Sequence, residues 1–265
     1  MTNESLSPRK IRELVEKLSP VLSDIYTDLH SHPELSLQEV NTAAKMAGIL
    51  RDAGFDVTTG VGGTGVVGVL KNGEGPTVML RADMDALPVK EESGVPYASN
   101  IVATDRSGKS VPVMHACGHD IHMASLAGAA TLLADQRARW SGTLMAVFQP
   151  AEEISEGARV MVNDDFYKRF PKPDVILGQH VINSPVGSIE WSTGAATTTG
   201  DSLMIRLFGR GSHGAMPENS IDPVVMAAAI VMRLQTIVAR EVPANEAAIV
   251  TIGSLQAGTA ENIIP

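Results

Sequence analysis

The spacing of apolar residues predicts two amphipathic helices near the start of the chain. Apolar positions recur every three to four residues between Ile11 and Leu29, which is the repeat of a helix with one buried face. Pro20 should kink or split this helix, because proline lacks the backbone N–H that the helix needs. The pattern Ser36-Leu-Gln-Glu39 is typical of a capping box and predicts the start of a second helix, which runs to about Asp52.

Short apolar runs predict strands further along the chain, and helical patterns separate several of them. The predicted strands lie at about 55–57, 65–71, 77–81, 143–149 and 174–180. The predicted helices between the later strands cover about 123–139 and 156–170. Alternating strands and helices indicate an α/β fold, in which helices flank a mostly parallel sheet.

Gly60-Val-Gly-Gly-Thr-Gly65 is a glycine cluster between the first two predicted strands. A phosphate-binding loop would continue into Lys-Ser or Lys-Thr and then a helix, and this cluster does neither. Its position between two strands favours a hairpin turn instead.

The pattern changes at about residue 192. Strand patterns at 202–208 and 247–255 flank a long amphipathic helix from Asp222 to about Arg240, which predicts an α+β unit. Small polar residues over 193–199 are typical of a hinge. We therefore expect two incomplete domains, over residues 1–191 and 192–265.

Composition narrows the classes of function. The net charge is −9 and the chain has no basic run, which argues against nucleic acid or an anionic membrane as the main partner. The single cysteine forbids an internal disulfide and fits a reducing compartment. No apolar run approaches the ~20 residues of a membrane span, and the N-terminus lacks the apolar stretch of a signal peptide. These features predict a soluble cytoplasmic protein.

The segment Met114–Ala124 concentrates polar side chains that can bind metal. On an extended segment, Cys117 and His119 would leave the same face, where a thiolate and an imidazole could bind one ion. For Cys117 alone, a buried structural cysteine is an equally good interpretation. His30 and His32, at the end of the first predicted helix, are interpreted as helix-terminal residues rather than ligands.

Other polar groups follow the predicted strands, where open α/β sheets place their sites. They are Asp83, Asp85, the pair Glu152-Glu153 and His180. The donor set Cys117, His119, Glu153 and His180 suits Zn, Mn, Co or Ni, and the residue types do not choose among them. Adjacent residues cannot easily point at one atom, so one glutamate can bind metal while the other acts as a general base.

Five motifs together resemble one enzyme family. They are Leu29-His-Ser-His-Pro-Glu-Leu35, Arg81-Ala-Asp-Met-Asp-Ala-Leu-Pro88, Met114-His-Ala-Cys-Gly-His-Asp120, Phe148-Gln-Pro-Ala-Glu-Glu153 and Gly178-Gln-His180. They are similar to the amidohydrolase branch of the aminoacylase/carboxypeptidase metallopeptidases. That branch includes N-acyl-amino-acid amidohydrolases, hippurate hydrolase and the indole-acetyl-amino-acid hydrolases.

The resemblance implies a two-metal amidohydrolase that cleaves N-acyl-amino acids with metal-activated water. Its metal ligands would be Cys117, His119, Glu153 and His180. Glu152 would be the general base, and His115 and His122 would support or pack against the site. The part from residue 192 would be a lid and dimerisation domain, which implies a possible homodimer. There His213 would bind substrate and the oxyanion, and Asn262 would bind substrate.

One departure from the family pattern leaves alternatives open. Family members continue past Asn262-Ile-Ile-Pro265 and supply a final histidine ligand, so the second metal would lack a protein ligand in this chain. We therefore keep a catalytically inactive fragment, or a dimerising remnant, as the second hypothesis. A cysteine hydrolase that uses Cys117 as nucleophile is a third, less favoured because His119 and the glutamates resemble ligands.

Overall fold

The computed structural model describes residues 6–194 and 199–265. It divides into two compact units, Met1–Ser188 and Ile189–Pro265. The assignment of residues 1–191 to a catalytic domain and of 192–265 to a lid stays a prediction. Most of the expected hinge, residues 195–198, lies outside the described residues.

The first unit contains five α-helices and seven strands among its described residues. The helices are α1 (Pro8–Ser31), α2 (Val40–Asp52), α3 (His119–Asp135), α4 (Gly157–Asn163) and α5 (Phe166–Arg169). The strands are β1 (Asp56–Val61), β2 (Gly65–Asn72), β3 (Thr77–Asp83), β4 (Val102–Thr104), β5 (Ser110–Pro112), β6 (Gly142–Gln149) and β7 (Val175–Gly178). The glycine cluster forms the turn between β1 and β2, as predicted.

Five of these strands form one sheet in the order β1-β2-β6-β3-β7. Strand β3 is parallel to both β6 and β7, whereas β2 is antiparallel to β1 and to β6. Four strands therefore run in the same direction, which confirms the mostly parallel sheet. The register pairs Asp83 with Gln149, and Arg81 with Gly178, so the chain leaves β3, β6 and β7 at the same edge.

Helices cover both faces of the sheet. On one face α2 and α3 contribute Leu50 and Met123, which pack with Phe148 of β6. On the other face Met161 of α4 and Phe166 of α5 pack on the opposite side of the same strands. Consecutive strand residues enter opposite clusters, as the two-residue repeat of a strand requires. This arrangement confirms the α/β class.

The helix predictions need three corrections. Helix α1 is N-capped by Ser7, as its sequence favours, but it continues through Pro20 instead of splitting there. The helix predicted over 156–170 is two short helices, because Asp165 adopts a left-handed conformation between them. The predicted capping box is wrong, since α2 begins at Val40 and the Glu39 side chain does not cap it.

The second unit contains α6 (Pro223–Arg240), β8 (Ser212–His213) and β9 (Ile263–Ile264). Asp222 caps α6 by accepting hydrogen bonds from the backbone N–H groups of Val224 and Val225. Strands β8 and β9 pair antiparallel. The strands predicted over 202–208 and 247–255 are absent from the described part of the unit, where both segments are largely exposed. An alternating pattern forms a strand only when a neighbouring strand supplies hydrogen bonds, so these predictions were wrong.

Helix α6 also bears on the expected absence of a membrane span. Among the described residues it is the one helix whose length and composition would suffice to cross a membrane. A single helix of this kind is a weak indication, because core helices of soluble proteins have the same composition.

The core of the first unit generates a stability prediction. Leu50 is fully buried between α2 and the sheet. We expect Leu50→Ala to lower the free energy of unfolding by about 2–5 kcal/mol, because it removes buried methyl groups and leaves a cavity. Urea denaturation of the purified chain measures this. Val40→Ala on the exposed face of the same helix is the control, and a similar loss in both variants would contradict the prediction.

Candidate metal centre

The sheet edge where β3, β6 and β7 end brings together the predicted site residues of the first unit. The Cys117 sulfur lies 3.3 Å from the His180 Nε2 atom. The His119 Nε2 atom lies 3.8 Å from Glu152 Oε2 and 3.8 Å from Glu153 Oε1. In each of the sets Cys117–His119–His180 and His119–Glu152–Glu153, the candidate ligand atoms lie within 4.8 Å of one another.

Cys117 and His119 reach the site through a turn rather than an extended segment, which corrects the expected local structure. Gly118 between them adopts a left-handed conformation with φ of +79° and precedes the first residue of α3. A Cβ atom at Gly118 would overlap the side chain of Val181. Glycine at this position therefore satisfies both the backbone conformation and the close approach of the segment that carries His180.

Both histidines present one nitrogen to the site and donate with the other. His119 Nδ1 lies 2.7 Å from the carbonyl oxygen of Asp85, and His180 Nδ1 lies 2.7 Å from that of Val181. A carbonyl oxygen only accepts, so Nδ1 carries the proton in each ring and Nε2 keeps its lone pair. Histidine ligands to metals are commonly held in this way.

Two buried polar atoms at this edge support a cation. Across residues 6–194 and 199–265, neither His119 Nε2 nor Glu153 Oε1 has a hydrogen-bond partner. A buried acceptor without a partner is costly, and two of them 3.8 Å apart are satisfied together by a positive ion. With the thiol of Cys117 and the Nε2 atom of His180 alongside, the donor set fits divalent Zn, Mn, Co or Ni.

Asp85 holds the backbone of the two glutamates. Its Oδ1 and Oδ2 atoms accept hydrogen bonds of 3.0 Å from the N–H groups of Glu152 and Glu153, respectively. Ser36 Oγ donates to Oδ2 at 2.7 Å. Burial opposes ionisation of Asp85, but its hydrogen bonds with His119, Ser36 and the two N–H groups outweigh burial and lower the pKa of Asp85.

Asp83 and His122 support the segment after β7. His122 donates from Nδ1 to Asp83 Oδ1 at 2.6 Å and accepts at Nε2 from the N–H of Val181 at 2.9 Å. Arg81 donates to the other oxygen of Asp83 at 2.7 Å. The buried set Asp83–His119–His122 also has metal-ligand spacing. Because both nitrogens of His122 are already hydrogen-bonded, we interpret His122 as a support for His180, as expected.

The two glutamates and the cysteine differ in their surroundings. The side chain of Glu152 is 39% exposed and that of Glu153 is 16% exposed. Burial raises the pKa of Glu153, although nearby His119 opposes the shift. Burial, followed by the charge of Glu153, raises the pKa of the Cys117 thiol to about 12. Without a cation the thiol is therefore protonated at neutral pH, which disfavours Cys117 as a nucleophile.

His30 has partners that sequence reasoning missed. It is buried, and its Nδ1 and Nε2 atoms lie 2.6 Å from Asp120 Oδ2 and 2.9 Å from Glu91 Oε1. These carboxylates are 90 and 61 residues away, so no local pattern could reveal them. His32 is exposed and bonded to Asp28 in the last turn of α1, as expected of a helix-terminal residue.

His115 and His30 line an open cleft beside the metal centre. The cleft has a volume of about 310 Å³, and its other walls include Cys117, His180 and Ile182. Burial lowers the pKa of His115 to about 4, so this ring is neutral at physiological pH. It is buried at the base of the cluster, as a packing residue would be.

His213 and Asn262 lie next to each other in the second unit. His213 of β8 pairs with Ile263 of β9, and the N–H of Gly214 donates to the carbonyl of Asn262 at 2.8 Å. The N–H of Ala215 donates to His213 Nδ1 at 3.0 Å, so in the neutral ring Nε2 carries the proton. Their roles toward substrate stay predictions.

The fold and this site define a class of protein: an α/β protein with a candidate metal centre at the carboxyl ends of its parallel strands. The chain belongs to the peptidase family M20/M25/M40, whose sequence model matches residues 79–261. This membership confirms the resemblance found in the five motifs.

Similar proteins of this family agree on hydrolysis. The chain is 43% identical to the hippurate hydrolase of Campylobacter jejuni, over 89% of this chain and 59% of that protein. It is 39% identical to an N-acetylcysteine deacetylase of Bacillus subtilis, over 92% of this chain and 62% of the relative. It also resembles the crystal structure of the Bacillus subtilis YxeP protein, described as a dinuclear metal-binding peptidase. That match has a TM-score of 0.65 and 33% identity, over 94% of this chain and 62% of the other. The chain thus spans about three fifths of the length of these relatives.

The contacts of His30 generate a prediction about pH. Burial lowers the pKa of His30, but its hydrogen bonds with Glu91 and Asp120 outweigh burial and raise the pKa above the ordinary value. A raised pKa in the folded state gives stability that is complete below the unfolded pKa and is lost as pH rises through the folded value. We expect His30→Leu to lower the free energy of unfolding more at about pH 5.5 than at about pH 9.

Urea denaturation at the two pH values, in the presence of a chelator, tests this. His32→Leu, at the exposed neighbour on the same helix end, serves as the control and should have a small effect at both. A deficit in His30→Leu that is equal at both pH values, or larger at the alkaline one, would contradict the prediction.

Proposed function

We propose that this chain forms the metal centre of an amidohydrolase that cleaves the amide bond of N-acyl-amino acids. The observation that carries the proposal is the buried, unpaired pair of His119 Nε2 and Glu153 Oε1 beside Cys117 and His180. The names of the relatives, a hippurate hydrolase and an N-acetylcysteine deacetylase, support an acylated amino acid as substrate. A cleft of about 310 Å³ beside the centre suits a small molecule.

The centre would hold two divalent cations, chosen from Zn, Mn, Co or Ni. Cys117, His119, Glu153 and His180 would be their ligands. When bound, such cations lower the pKa of a coordinated water and polarise the carbonyl of a substrate. The protein's own contribution is to hold these side chains in place before any ion arrives, through Asp85 for the glutamates and through His122 for the segment of His180.

Glu152 would act as the general base. It is the more exposed of the two glutamates, and its backbone N–H is held by Asp85, so its carboxylate faces the side from which water and substrate arrive. That carboxylate can take a proton from the attacking water, hold it on Oε2, and return it to the nitrogen of the leaving amine.

His213 and Asn262 would bind substrate from the second unit. Because Nδ1 of His213 accepts from Ala215, its Nε2–H is a donor suited to the negative oxygen that develops on the amide carbon. Asn262 lies on the adjoining strand and would contact the amino-acid portion. We propose the second unit as the lid and dimerisation domain, which makes a homodimer part of the proposal, and we place the protein in the cytoplasm.

Two other functions remain open to test. A catalytically inactive fragment or dimerising remnant is supported by the length of the chain, which is about three fifths of that of its relatives. It predicts that the purified 265-residue chain binds metal without turnover. A cysteine hydrolase is disfavoured by the raised pKa of Cys117, and it predicts activity in the presence of a chelator and its loss on thiol alkylation.

The general-base assignment generates a prediction for Glu152. With Mn²⁺ or Zn²⁺ present, we expect Glu152→Gln to reduce kcat for N-benzoylglycine or N-acetyl-amino acids by about 10²–10⁴-fold, because the amide cannot accept the proton. The bound metal content, measured on the same preparation, should stay at the wild-type value. Chelation should abolish turnover in the wild type.

Glu156→Gln makes the same chemical change in the turn after the site and should keep full activity. Wild-type turnover in Glu152→Gln would refute the base assignment. Turnover that survives chelation would refute the metal-dependent mechanism as a whole.

A further inference from the structure

Glu39 is a fully buried carboxylate that the proposed mechanism does not use. It precedes α2 but does not cap it. Instead its Oε2 atom accepts a hydrogen bond of 2.5 Å from Thr64 Oγ1, and its Oε1 atom accepts one of 2.8 Å from the N–H of Ala151. Thr64 belongs to the glycine cluster between β1 and β2. Two sequence motifs without an assigned role therefore meet at the residue just before Glu152.

Ala151 has a backbone conformation that needs support. It is fully buried, and its φ of +50° lies in the left-handed region, which residues with a Cβ adopt rarely. Its N–H is held by Glu39, and its carbonyl oxygen accepts from the N–H groups of Glu156 and Gly157. Such a conformation persists when the surrounding contacts determine it from both sides.

Three consecutive backbone N–H groups thus end on buried carboxylates. The N–H of Ala151 binds Glu39, and those of Glu152 and Glu153 bind the two oxygens of Asp85. The orientation of these three peptide groups sets the directions in which the Glu152 and Glu153 side chains leave the backbone. Asp85 fixes the second and third peptide groups, which leaves the first to Glu39.

We propose that Glu39, held by Thr64, is a positioning residue for the metal centre: it fixes the left-handed turn at Ala151 and so directs Glu153 toward His119. The inference rests on the proposed function, because it assigns a purpose to the direction of Glu153. Glu39 contacts neither Glu152 nor Glu153 through its carboxylate and acts through the backbone of Ala151. Without it, the buried N–H of Ala151 loses its acceptor, and the turn can relax to a commoner conformation.

The chemistry of the contacts defines conservative and disruptive variants. Glutamine at position 39 keeps an oxygen that accepts from Ala151 and gains an N–H₂ that can donate to Thr64. Burial raises the pKa of Glu39, although the bonds from Thr64 and Ala151 oppose the shift, so a neutral amide is a mild change there. Glu39→Ala removes both contacts. Thr64→Ser keeps the hydroxyl group, and Thr64→Val removes it with little change of volume.

Co²⁺ titration of the purified, metal-free 265-residue chain tests the proposal without relying on turnover. The d–d absorption bands report the coordination of the ion, and the thiolate-to-cobalt band reports Cys117. We expect the wild type, Glu39→Gln and Thr64→Ser to bind with the same spectrum. Glu39→Ala and Thr64→Val should bind about 10–100-fold more weakly, as expected when a group that orients a ligand is lost. Their d–d bands should change while the thiolate band remains.

Asn72→Ala is the matched control for general loss of stability. Asn72 Nδ2 donates to the carbonyl oxygens of Arg137 and Trp140 at the opposite end of the sheet. This variant should unfold at lower urea concentration, yet bind Co²⁺ as the wild type does. Thr64→Val, which is nearly isosteric, keeps the test decisive if Glu39→Ala does not fold.

The outcomes separate the two proposals. Wild-type Co²⁺ affinity and spectrum in Glu39→Ala or Thr64→Val would overturn the positioning role of Glu39. A loss in Glu39→Gln as large as that in Glu39→Ala would overturn it too, because the amide preserves both contacts. Failure of the wild type itself to bind Co²⁺ would instead refute the proposed metal centre.

Discussion

The carboxylate of Asp85 is the contact on which the rest of the candidate centre depends. It lies just beyond β3, receives the N–H groups of Glu152 and Glu153 from the turn after β6, and binds Ser36 from the segment before α2. Its backbone carbonyl also orients His119. Each buried donor left without an acceptor would cost about 1–3 kcal/mol, so the four groups constrain one another. One residue therefore links three parts of the chain that are distant in sequence.

The site is determined largely by main-chain contacts. Parallel pairing places the ends of β3, β6 and β7 side by side, and side chains of one strand end then bind the backbone of the next. His122 binds the N–H of Val181 beside His180 in the way that Asp85 binds the N–H groups of the glutamates. The reacting side chains are thus held from behind and keep their own polar atoms free for a ligand. Such preorganisation is what catalytic and metal sites require of a scaffold.

Sequence alone predicted those features whose causes are local. Ser7 as an N-cap and the buried strands at the centre of the sheet follow from short patterns, and the strand ends gathered the expected site residues. The pair Ser36 and Glu39 shows the limit. A capping box and this arrangement have the same spacing, and the partners that decide between them, Asp85 and Ala151, lie 49 and 112 residues away. Strands predicted at 202–208 and 247–255 failed for the same reason, because an alternating pattern does not specify its pairing partner.

The strand that leads to His180 has a further consequence. Strand β7 is four residues long, ends the sheet, and in the described residues is hydrogen-bonded on one side only, to β3. Its side chains are about half exposed, whereas the segments that carry His119 and Glu153 adjoin the buried core. Edge strands of this kind open more readily than central ones, and exchange their amide hydrogens sooner. The centre thus has a rigid part and a labile part, and a ligand that bridges the two would tie the edge of the sheet to its core.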